Sequence, residues 1–515
     1  MSKLNTDILY LISKELQNDK KTLFSLLLVN RNFCEIIVPI LWKNPWKPLN
    51  YPYKIDKLLI KVIFSHLSEE SRNKLKNLDL PINSYKKPFF NYINFCKHLD
   101  LNNLNAIDRI IYTIDENFKI KFEIYDLFIN ENTKFTHLYI PQQSGIPIHL
   151  FPEAKRCFSE IKFLSCSTVI NSNILVWLTE TCKSINELEI IVEEHNNNYI
   201  HITKLIDSLK NLVNVYFLKN YPKYPTFPNY HNFPNYSNYP NFSNYSNYPN
   251  YSNYLNYSNY PSYSYYPTYS TYINYSNYSN YSNYSNYSNH LKYNDGIHRI
   301  LENSLAKHAS TIQYIKLTKP PITRFLSFFV NLKKLELVDE TETHTMKWDC
   351  LQNFSLPHLQ IIEVSNIPIN VLISLIENAS ESLIEIKTDC VSHDVINNRR
   401  IIRVIYNKCP NLKYLKLLFR NHNILELKKL LINCQYLRGL YILVDLNEDF
   451  YWENVFSILA ESSPNNLFRF KFNISQILNE LELTQIFFDK WKDRAPMLLQ
   501  FKDCYNNSLE DFKWI

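Results

Sequence analysis

Glycine is scarce in this sequence: 515 residues include only Gly145, Gly296 and Gly439. Loops that bind phosphate groups need several neighbouring glycines, because their backbone must approach the ligand closely and adopt positive φ. Three isolated glycines therefore exclude a P-loop and a dinucleotide-binding fingerprint. Many nucleotide-dependent enzymes are excluded with them.

Several other signals are also absent. The ten cysteines include no CxxC pair, which argues against a structural zinc site and favours reduced thiols. No apolar run reaches the roughly eighteen residues of a membrane span. Asp7 and Glu15 interrupt the first apolar segment, so we do not expect a signal peptide. We therefore expect a protein of the cytoplasm or the nucleus, with no membrane partner.

Motifs of catalytic sites are missing too. HExxH and GxSxG do not occur, and the 14 histidines and ten cysteines are dispersed. Cys182, Cys409 and Cys434 each precede a strand motif, where we expect a small buried residue to end a helix. The net charge of +6 gives no general attraction to nucleic acid, so we do not expect a nucleic-acid partner. We expect a protein that is not an enzyme and has no cofactor or metal.

The N-terminal segment has helical periodicity. Ile8, Ile12 and Leu16 recur every four residues, with Leu9 beside the first of them. We predict an N-cap at Asn5 or Thr6 and a second cap at Asn18 or Asp19, and we expect Pro39 to limit the third helical run. About forty residues of short helices bury too little surface to fold unaided. The segment must therefore pack against something else.

This segment resembles the F-box, particularly that of fungal F-box proteins. Leu4-Asn5 stands where the family has Leu-Pro, Val29-Asn30-Arg31 matches its Val-Cys/Asn-Arg step, and Leu41-Trp42 closes the motif. The resemblance covers residues 4 to 44. It implies docking on a Skp adaptor, which joins F-box proteins to a cullin-RING ubiquitin ligase. The residues it assigns to this contact are Leu4, Ile8, Leu9, Leu28, Val29 and Trp42. The alternative is that they pack only against the rest of this chain.

The remainder of the chain repeats one motif, apolar-x-x-apolar-x-apolar. It is found as FTHLYI at 135, FSEIKF at 158, INELEI at 185, LVNVYF at 212, IQYIKL at 312, LKKLEL at 332, LQIIEV at 359, LIEIKT at 383, LKYLKL at 412, LRGLYI at 437 and LFRFKF at 467. Most spacings are close to those of leucine-rich repeats, in which each unit gives one strand and one helix or turn. KCPNLKYLKL at 408 also resembles the repeats of F-box proteins. A conventional α/β fold is the rival interpretation.

A tract rich in Tyr, Asn, Ser and Pro separates two blocks of repeats. No Asp, Glu, Lys or Arg occurs between Tyr224 and Asn289, and aliphatic residues are almost absent. Such a composition cannot form a packed core, so we predict a disordered insertion in one repeat's loop, with helix resuming near GIHRILENSLAKHA. Self-association, RNA contact and the absence of any selected role remain alternatives for the tract.

The motif also predicts a binding face. Positions between the apolar ones point to the opposite side of each strand, onto a concave surface. In the second block they include Lys316, Lys334, Glu336, Glu385, Lys387, Lys416, Tyr441, Arg469 and Lys471, and in the first block Glu160, Glu187 and Glu189. We predict that the partner-binding residues are Lys334, Glu336, Lys387, Lys416, Tyr441 and Lys471. An acidic or phosphorylated partner would suit this basic surface; a solvated surface of mixed charge is the alternative.

The predicted fold class is α/β: a helical F-box followed by an irregular leucine-rich-repeat solenoid with a disordered insertion. The predicted domains are an F-box (1–48), a helical bridge (49–134), the first repeat block (135–220), the insertion (221–289) and the second block with its cap (290–515). The function implied is substrate recognition for a Skp–cullin–F-box ubiquitin ligase, with an unknown target protein. A repeat scaffold without a ligase and a protein that acts through its tyrosine tract are the rivals.

Overall fold

The structure is a computed structural model. The residues it describes are 5–46, 57–75, 88–111, 119–140, 147–193, 198–219, 296–340, 348–352, 355–389, 394–445, 450–474, 480–492 and 494–503. They all belong to one unit formed by Met1–Asn220 and Asn294–Ile515. The predicted disordered insertion and Leu4 lie outside the described residues.

Three helices begin the described chain: α1 (Thr6–Glu15), α2 (Lys20–Leu27) and α3 (Arg31–Trp42). Asn5 caps α1, because its Oδ1 accepts the Asp7 N–H at 3.2 Å. Asp19 and Asn30 cap α2 and α3 in the same way. The predicted limit at Pro39 is wrong, since α3 continues through it. Proline removes one backbone donor, and the carbonyl that loses its partner belongs to the exposed Glu35.

The next segment, part of the predicted helical bridge, holds two helices, α4 (Lys57–Ser65) and α5 (Glu69–Leu75). The break between them lies around Ser68, whose backbone N–H and hydroxyl both donate to the Glu123 carboxylate. Glu123 lies on α7 (Lys119–Phe128), which lies in the chain between the first and second strands of the sheet. A tertiary contact therefore overrides the local helical pattern.

Thirteen strands of the described residues form one sheet, in which spatial order equals sequence order. They are β1 (His98–Asp100), β2 (His137–Ile140), β3 (Phe163–Ser167), β4 (Glu187–Val192), β5 (Asn214–Lys219), β6 (Tyr314–Leu317), β7 (Lys334–Val338), β8 (Ile361–Ser365), β9 (Glu385–Thr388), β10 (Tyr414–Leu418), β11 (Gly439–Leu443), β12 (Arg469–Ile474) and β13 (Leu498–Asp503). All neighbouring pairs are parallel. This is the architecture of a leucine-rich-repeat array, as predicted.

Helices or turns connect successive strands. The α-helices of the array are α6 (Leu101–Ile111), α7, α8 (Ala154–Phe158), α9 (Ser172–Thr181), α10 (Tyr199–Ser208), α11 (296–306), α12 (Ile369–Ala379), α13 (Val395–Lys408), α14 (Ile424–Asn433), α15 (Trp452–Ser462) and α16 (Glu480–Trp491). Cys182, Cys409 and Cys434 are the buried C-caps of α9, α13 and α14, as predicted. Burial raises the pKa of each of these thiols to about 12.

Ten of the eleven motifs predict a strand in the observed register, and the motif at 158 does not. Phe158 ends α8, and β3 begins only at Phe163. Leu164 pairs with Leu138 and Leu188, so the repeat here is IKFLSC, with Cys166 at a core position. Glu160 consequently lies in the turn before β3 and not on the strand.

The sheet also extends beyond the predicted repeats at both ends. β1 lies inside the segment predicted as a helical bridge, and β13 lies in the predicted C-terminal cap. Their motifs, CKHLDL at 96 and PMLLQF at 496, have Cys and Pro at the first apolar position. The array therefore begins earlier than the predicted boundary at 135.

One core runs the length of the array between the sheet and its helices and turns. Twelve of its strand residues form one register row: Leu99, Leu138, Leu164, Leu188, Val215, Ile315, Leu335, Ile362, Ile386, Leu415, Leu440 and Phe470. β5 and β6 pair directly, Asn214 opposite Tyr314, and helix resumes at 296 as predicted. The insertion therefore falls within one repeat and leaves the sheet register unchanged.

Candidate functional site

The outward stripe of α1 is apolar. Ile8, Leu11 and Ile12 are 46%, 59% and 47% exposed, whereas Ser13 is fully buried. Leu9 is only half-buried. The helical period is confirmed, but the side of the helix that faces the protein is the one that carries the serine. An amphipathic helix ordinarily buries its more apolar stripe.

The same exposure continues on α2 and in the turn that follows it. Phe24 is 56% exposed, and Leu28 and Val29 are 88% and 58% exposed. We call six side chains the N-terminal apolar group: Ile8, Leu11, Ile12, Phe24, Leu28 and Val29. Fully burying a large apolar side chain is worth roughly 1.5–3 kcal/mol. Several such side chains left in water mark a surface suited to a protein partner.

The helical unit α1–α3 is fixed to the start of the sheet. The Lys43 carbonyl accepts the Lys97 N–H at 2.9 Å and the His98 N–H at 3.2 Å. The indole N–H of Trp46 donates to the His98 carbonyl at 2.7 Å, and its ring centroid lies 5.6 Å from that of Phe128. We call Lys43, Trp46 and His98 the joint. Because backbone and side-chain bonds both cross the joint, the N-terminal apolar group is held in one orientation relative to β1.

The residues predicted to contact the adaptor divide into two sets. Ile8, Leu28 and Val29 are exposed, whereas Leu9 is half-buried. Trp42 packs against the core of this chain, with its ring centroid 4.8 Å from that of Tyr92. The sequence prediction omitted Leu11, Ile12 and Phe24. Leu11 follows Ile8 by three positions, a spacing that places both residues on one face of a helix. The sequence therefore contained a signal for Leu11.

We call the side of the sheet opposite the core the non-core face. In its middle part, lysines and glutamates pair with one another. Lys334 Nζ lies 3.1 Å from a Glu363 oxygen, and Lys316 Nζ lies 2.7 Å from a Glu336 oxygen. Lys387 pairs with Glu385 at 2.7 Å. The predicted residues Lys334, Glu336 and Lys387 are half-buried. Their charges are matched by ion pairs within this chain.

The C-terminal part of the non-core face does not present the predicted open basic surface. Lys416, Tyr441 and Lys471 are 4%, 3% and 6% exposed. Both lysine ammonium groups lie 5.3 Å from the centroid of the Tyr441 ring, and Lys416 also pairs with Asp389. Strand alternation places these side chains on the correct face, but alternation does not predict accessibility. The prediction of an accessible binding surface at these three residues is wrong.

The N-terminal part of the non-core face carries stacked rings. The centroids of His98 and His137 lie 3.7 Å apart with planes 14° from parallel, and Phe163 continues the stack 5.4 Å from His137. The Tyr139 ring lies 5.0 Å from Phe163. Register explains the stack, because His98, His137 and Phe163 are directly opposite one another on three strands. We call these four side chains the ring row.

Two carboxylates lie beside the ring row on β4. Glu187 accepts the Tyr216 hydroxyl at 2.6 Å, and Glu189 accepts the Ser165 hydroxyl at 2.5 Å. Among the described residues, no Lys or Arg nitrogen lies within 4.0 Å of either carboxylate. Burial raises the pKa of Glu189, opposed by the Ser165 hydrogen bond and by the charge of Lys316. Burial and the nearby carboxylates raise the pKa of Tyr139 to about 12.

The described part of the chain holds neither a metal-binding cluster nor a membrane-spanning helix. No group of three or more His, Cys, Asp or Glu residues there is arranged to hold a metal ion. No helix there has the length and apolar character needed to cross a membrane.

Comparisons with known proteins add little to this description. No protein-family model matches the chain, and no curated protein matches it. Among solved structures, it is similar to the leucine-rich repeat-containing protein LegL7 from Legionella pneumophila, with 9% sequence identity and a TM-score of 0.37 over 69% of this chain and 98% of that chain. At this level of likeness, the repeat architecture is established by the strand order and motifs of the chain itself.

Proposed function

We propose that the chain is the substrate-recognition subunit of a Skp–cullin–F-box type ubiquitin ligase in the cytoplasm or nucleus. The helical unit docks on the Skp-type adaptor, and the repeat array holds a target protein. The subunit supplies no catalytic residue. It accelerates ubiquitin transfer by raising the effective concentration of the target beside the ligase.

The exposure of the N-terminal apolar group is the observation that carries this proposal. The group includes three residues that the F-box resemblance assigns to the adaptor: Ile8, Leu28 and Val29. The fully buried Ser13 shows that α1 is not oriented to bury its most apolar stripe within this chain. The joint adds a second argument, because a receptor must hold its adaptor site and its target site in a fixed relation.

The direct test is capture of purified Skp-type adaptor by the full chain. Leu28→Asp combined with Val29→Asp should weaken capture at least about tenfold, since two charges would enter an apolar interface. Both side chains are exposed, so the circular dichroism spectrum and the melting temperature should remain close to those of the wild type.

Leu425→Asp is the matched control. Leu425 is an exposed apolar side chain on α14, 75% accessible, and lies in the repeat array. Its substitution should leave adaptor capture unchanged. If the folded wild-type chain captures no adaptor, the ligase role is wrong. A repeat scaffold that binds its partner without a ligase and a protein that acts through its tyrosine tract are then the remaining alternatives.

A further inference from the structure

The non-core face differs in charge along its length, and in its N-terminal part Glu187 and Glu189 form no ion pair within 4.0 Å among the described residues. Across β6–β9 the glutamates pair with lysines, and across β10–β12 the basic residues Lys416 and Lys471 are buried. Glu187 and Glu189 are half-buried and accept hydrogen bonds only from neutral hydroxyls among the described residues.

We propose that the face of β1–β5 is the docking surface for an arginine- or lysine-rich segment of the target protein. This inference rests on the proposed function only in taking the sheet face as the place where a target is held.

The chemistry of this surface suits a guanidinium or ammonium group. A partly desolvated carboxylate gains most from a charged donor, because charge-assisted hydrogen bonds are about twice as strong as neutral ones. The half-buried ring of Tyr139 adds a second attraction, since cations bind to the faces of aromatic rings. Arginine satisfies both groups at once, because its planar guanidinium can stack on a ring and donate to a carboxylate.

General electrostatics do not explain such binding. The net charge of the chain is +6, so a cationic peptide is not attracted by the protein as a whole. Asp100 is not counted in the surface, because its carboxylate accepts the Asn102 N–H at 2.8 Å at the start of α6. The attraction must come from the local arrangement of Glu187, Glu189 and the ring row.

The size of the surface sets the length of the ligand. Five strands about 4.8 Å apart span roughly 19 Å, which about six residues of extended peptide cover. We therefore choose a fluorescein-labelled peptide of about seven residues in which arginine alternates with serine. Peptides of equal length that carry glutamate or only serine in place of arginine are the controls. Fluorescence anisotropy with the full chain measures the affinity.

The decisive variant is Glu187→Gln combined with Glu189→Gln. Glutamine keeps the size and the acceptor oxygen for Tyr216 and Ser165, so the fold should be retained while the charge is removed. The arginine peptide should then bind at least about tenfold more weakly. Glu363→Gln combined with Glu385→Gln removes two charges farther along the same face and should leave the affinity unchanged.

Two substitutions of Tyr139 measure the contribution of its ring to binding. Tyr139→Phe keeps the ring and should bind like the wild type, whereas Tyr139→Leu removes it and should weaken binding a few-fold. Equal affinity of the wild type and the Glu187/Glu189 double variant overturns the proposal. So does stronger binding of the glutamate peptide or of single-stranded polyuridine RNA to the wild type.

Adaptor capture is measured on the same samples, which separates this inference from the proposed function. The Glu187/Glu189 variant should capture adaptor normally. A wild-type chain that binds the arginine peptide but no adaptor contradicts the ligase role alone. A chain that captures adaptor but shows no preference for the arginine peptide contradicts this inference alone.

Discussion

Helices α1 and α12 have similar lengths and both carry several large apolar residues, yet they use these residues differently. α12 buries Leu372, Ile376 and five other residues, and none of its large apolar side chains is exposed. In α1 the only fully buried side chain is that of Ser13, and Ile8 and Leu11 are exposed. α12 is also the more apolar helix, with seven apolar residues among eleven against five among ten in α1.

The difference lies in what covers each helix. α12 packs against α13, which packs against α14, so each repeat covers the apolar face of its neighbour. α1 packs on α3 in the unit that precedes the first strand, and its outward stripe remains in water. A helix at the end of a repeat array has no neighbouring repeat on its outer side. That side is either polar, and forms a cap, or apolar, and available to a partner. The proposed adaptor contact would cover the N-terminal apolar group.

Placing a charge on each helix should produce the largest contrast. Ile376→Asp on α12 would bury a carboxylate in the core and should lower the free energy of unfolding by more than about 4 kcal/mol. Ile8→Asp on α1 should change it by less than about 1 kcal/mol, because an exposed aspartate in the first turn suits the helix dipole. Urea denaturation measures both. Equal destabilisation by the two substitutions would contradict the comparison.

Breaking the joint should have the next largest effect. Trp46→Ala removes a buried indole, which typically costs about 3–5 kcal/mol, and should make the helical unit accessible to protease before the array. Trp46→Phe keeps most of the packing and loses the bond to the His98 carbonyl, at a cost of about 1 kcal/mol. Limited proteolysis and denaturation measure both variants. Cleavage that starts within the array would show that the joint does not control the helical unit.

Two glutamates in the same register row should respond to pH with opposite signs. Burial raises the pKa of Glu336, but hydrogen bonds from Lys316 and Tyr314 and the lysine charges outweigh this and hold the pKa below its ordinary value. The stability due to Glu336 is therefore present at neutral pH and is lost as pH falls through the lowered pKa. Burial raises the pKa of Glu189, so its ionisation opposes folding as pH rises through the raised value.

Glutamine substitutions test the direction in which the stability due to each glutamate changes with pH. Glu336→Gln should destabilise the protein at pH 7 by about 1 kcal/mol, and the difference from wild type should shrink in acid. Glu189→Gln should become more stable relative to wild type as pH rises from 4 to 7. Urea denaturation across this range is the measurement. If the stability difference from wild type changes with pH in the same direction for both variants, the neighbouring lysines do not distinguish the two glutamates.

The smallest effect is expected at Ser13. Its hydroxyl is fully buried without a hydrogen-bond partner among the described residues. Ser13→Ala should raise the free energy of unfolding by about 1 kcal/mol or less, because it removes an unsatisfied polar group. Adaptor capture should be unchanged, since this residue faces inward. A clear loss of stability would indicate that the hydroxyl has a partner after all.

Much of the repeat architecture is predictable because each unit repeats the same physical requirement. An apolar residue followed three and five positions later by others predicts strands such as β4 and β10 in the observed register. The prediction is wrong at β3, where Phe158 matches the pattern but belongs to a helix, and it omits β1, where Cys96 replaces a larger residue. A small core residue weakens the signal without weakening the strand.

The surfaces are less predictable than the core. The stripe that begins at Ile8 is more apolar than the adjacent one that holds Leu9 and Ser13, so periodicity alone does not predict that the second faces inward. Only packing on α3 decides it. Likewise, alternation places Lys416 and Lys471 on the non-core face, but their burial depends on tertiary contacts that no local pattern contains.

The pairing of β5 with β6 has an evolutionary consequence. Hydrogen bonds hold Asn214 opposite Tyr314 whatever number of residues the gene encodes between Lys219 and the helix that begins at 296. Slippage during replication of the Asn-Tyr-Ser codons would thus alter chain length with little penalty to the array. A change in the length of the tract is therefore expected to leave the pairing of β5 with β6 intact.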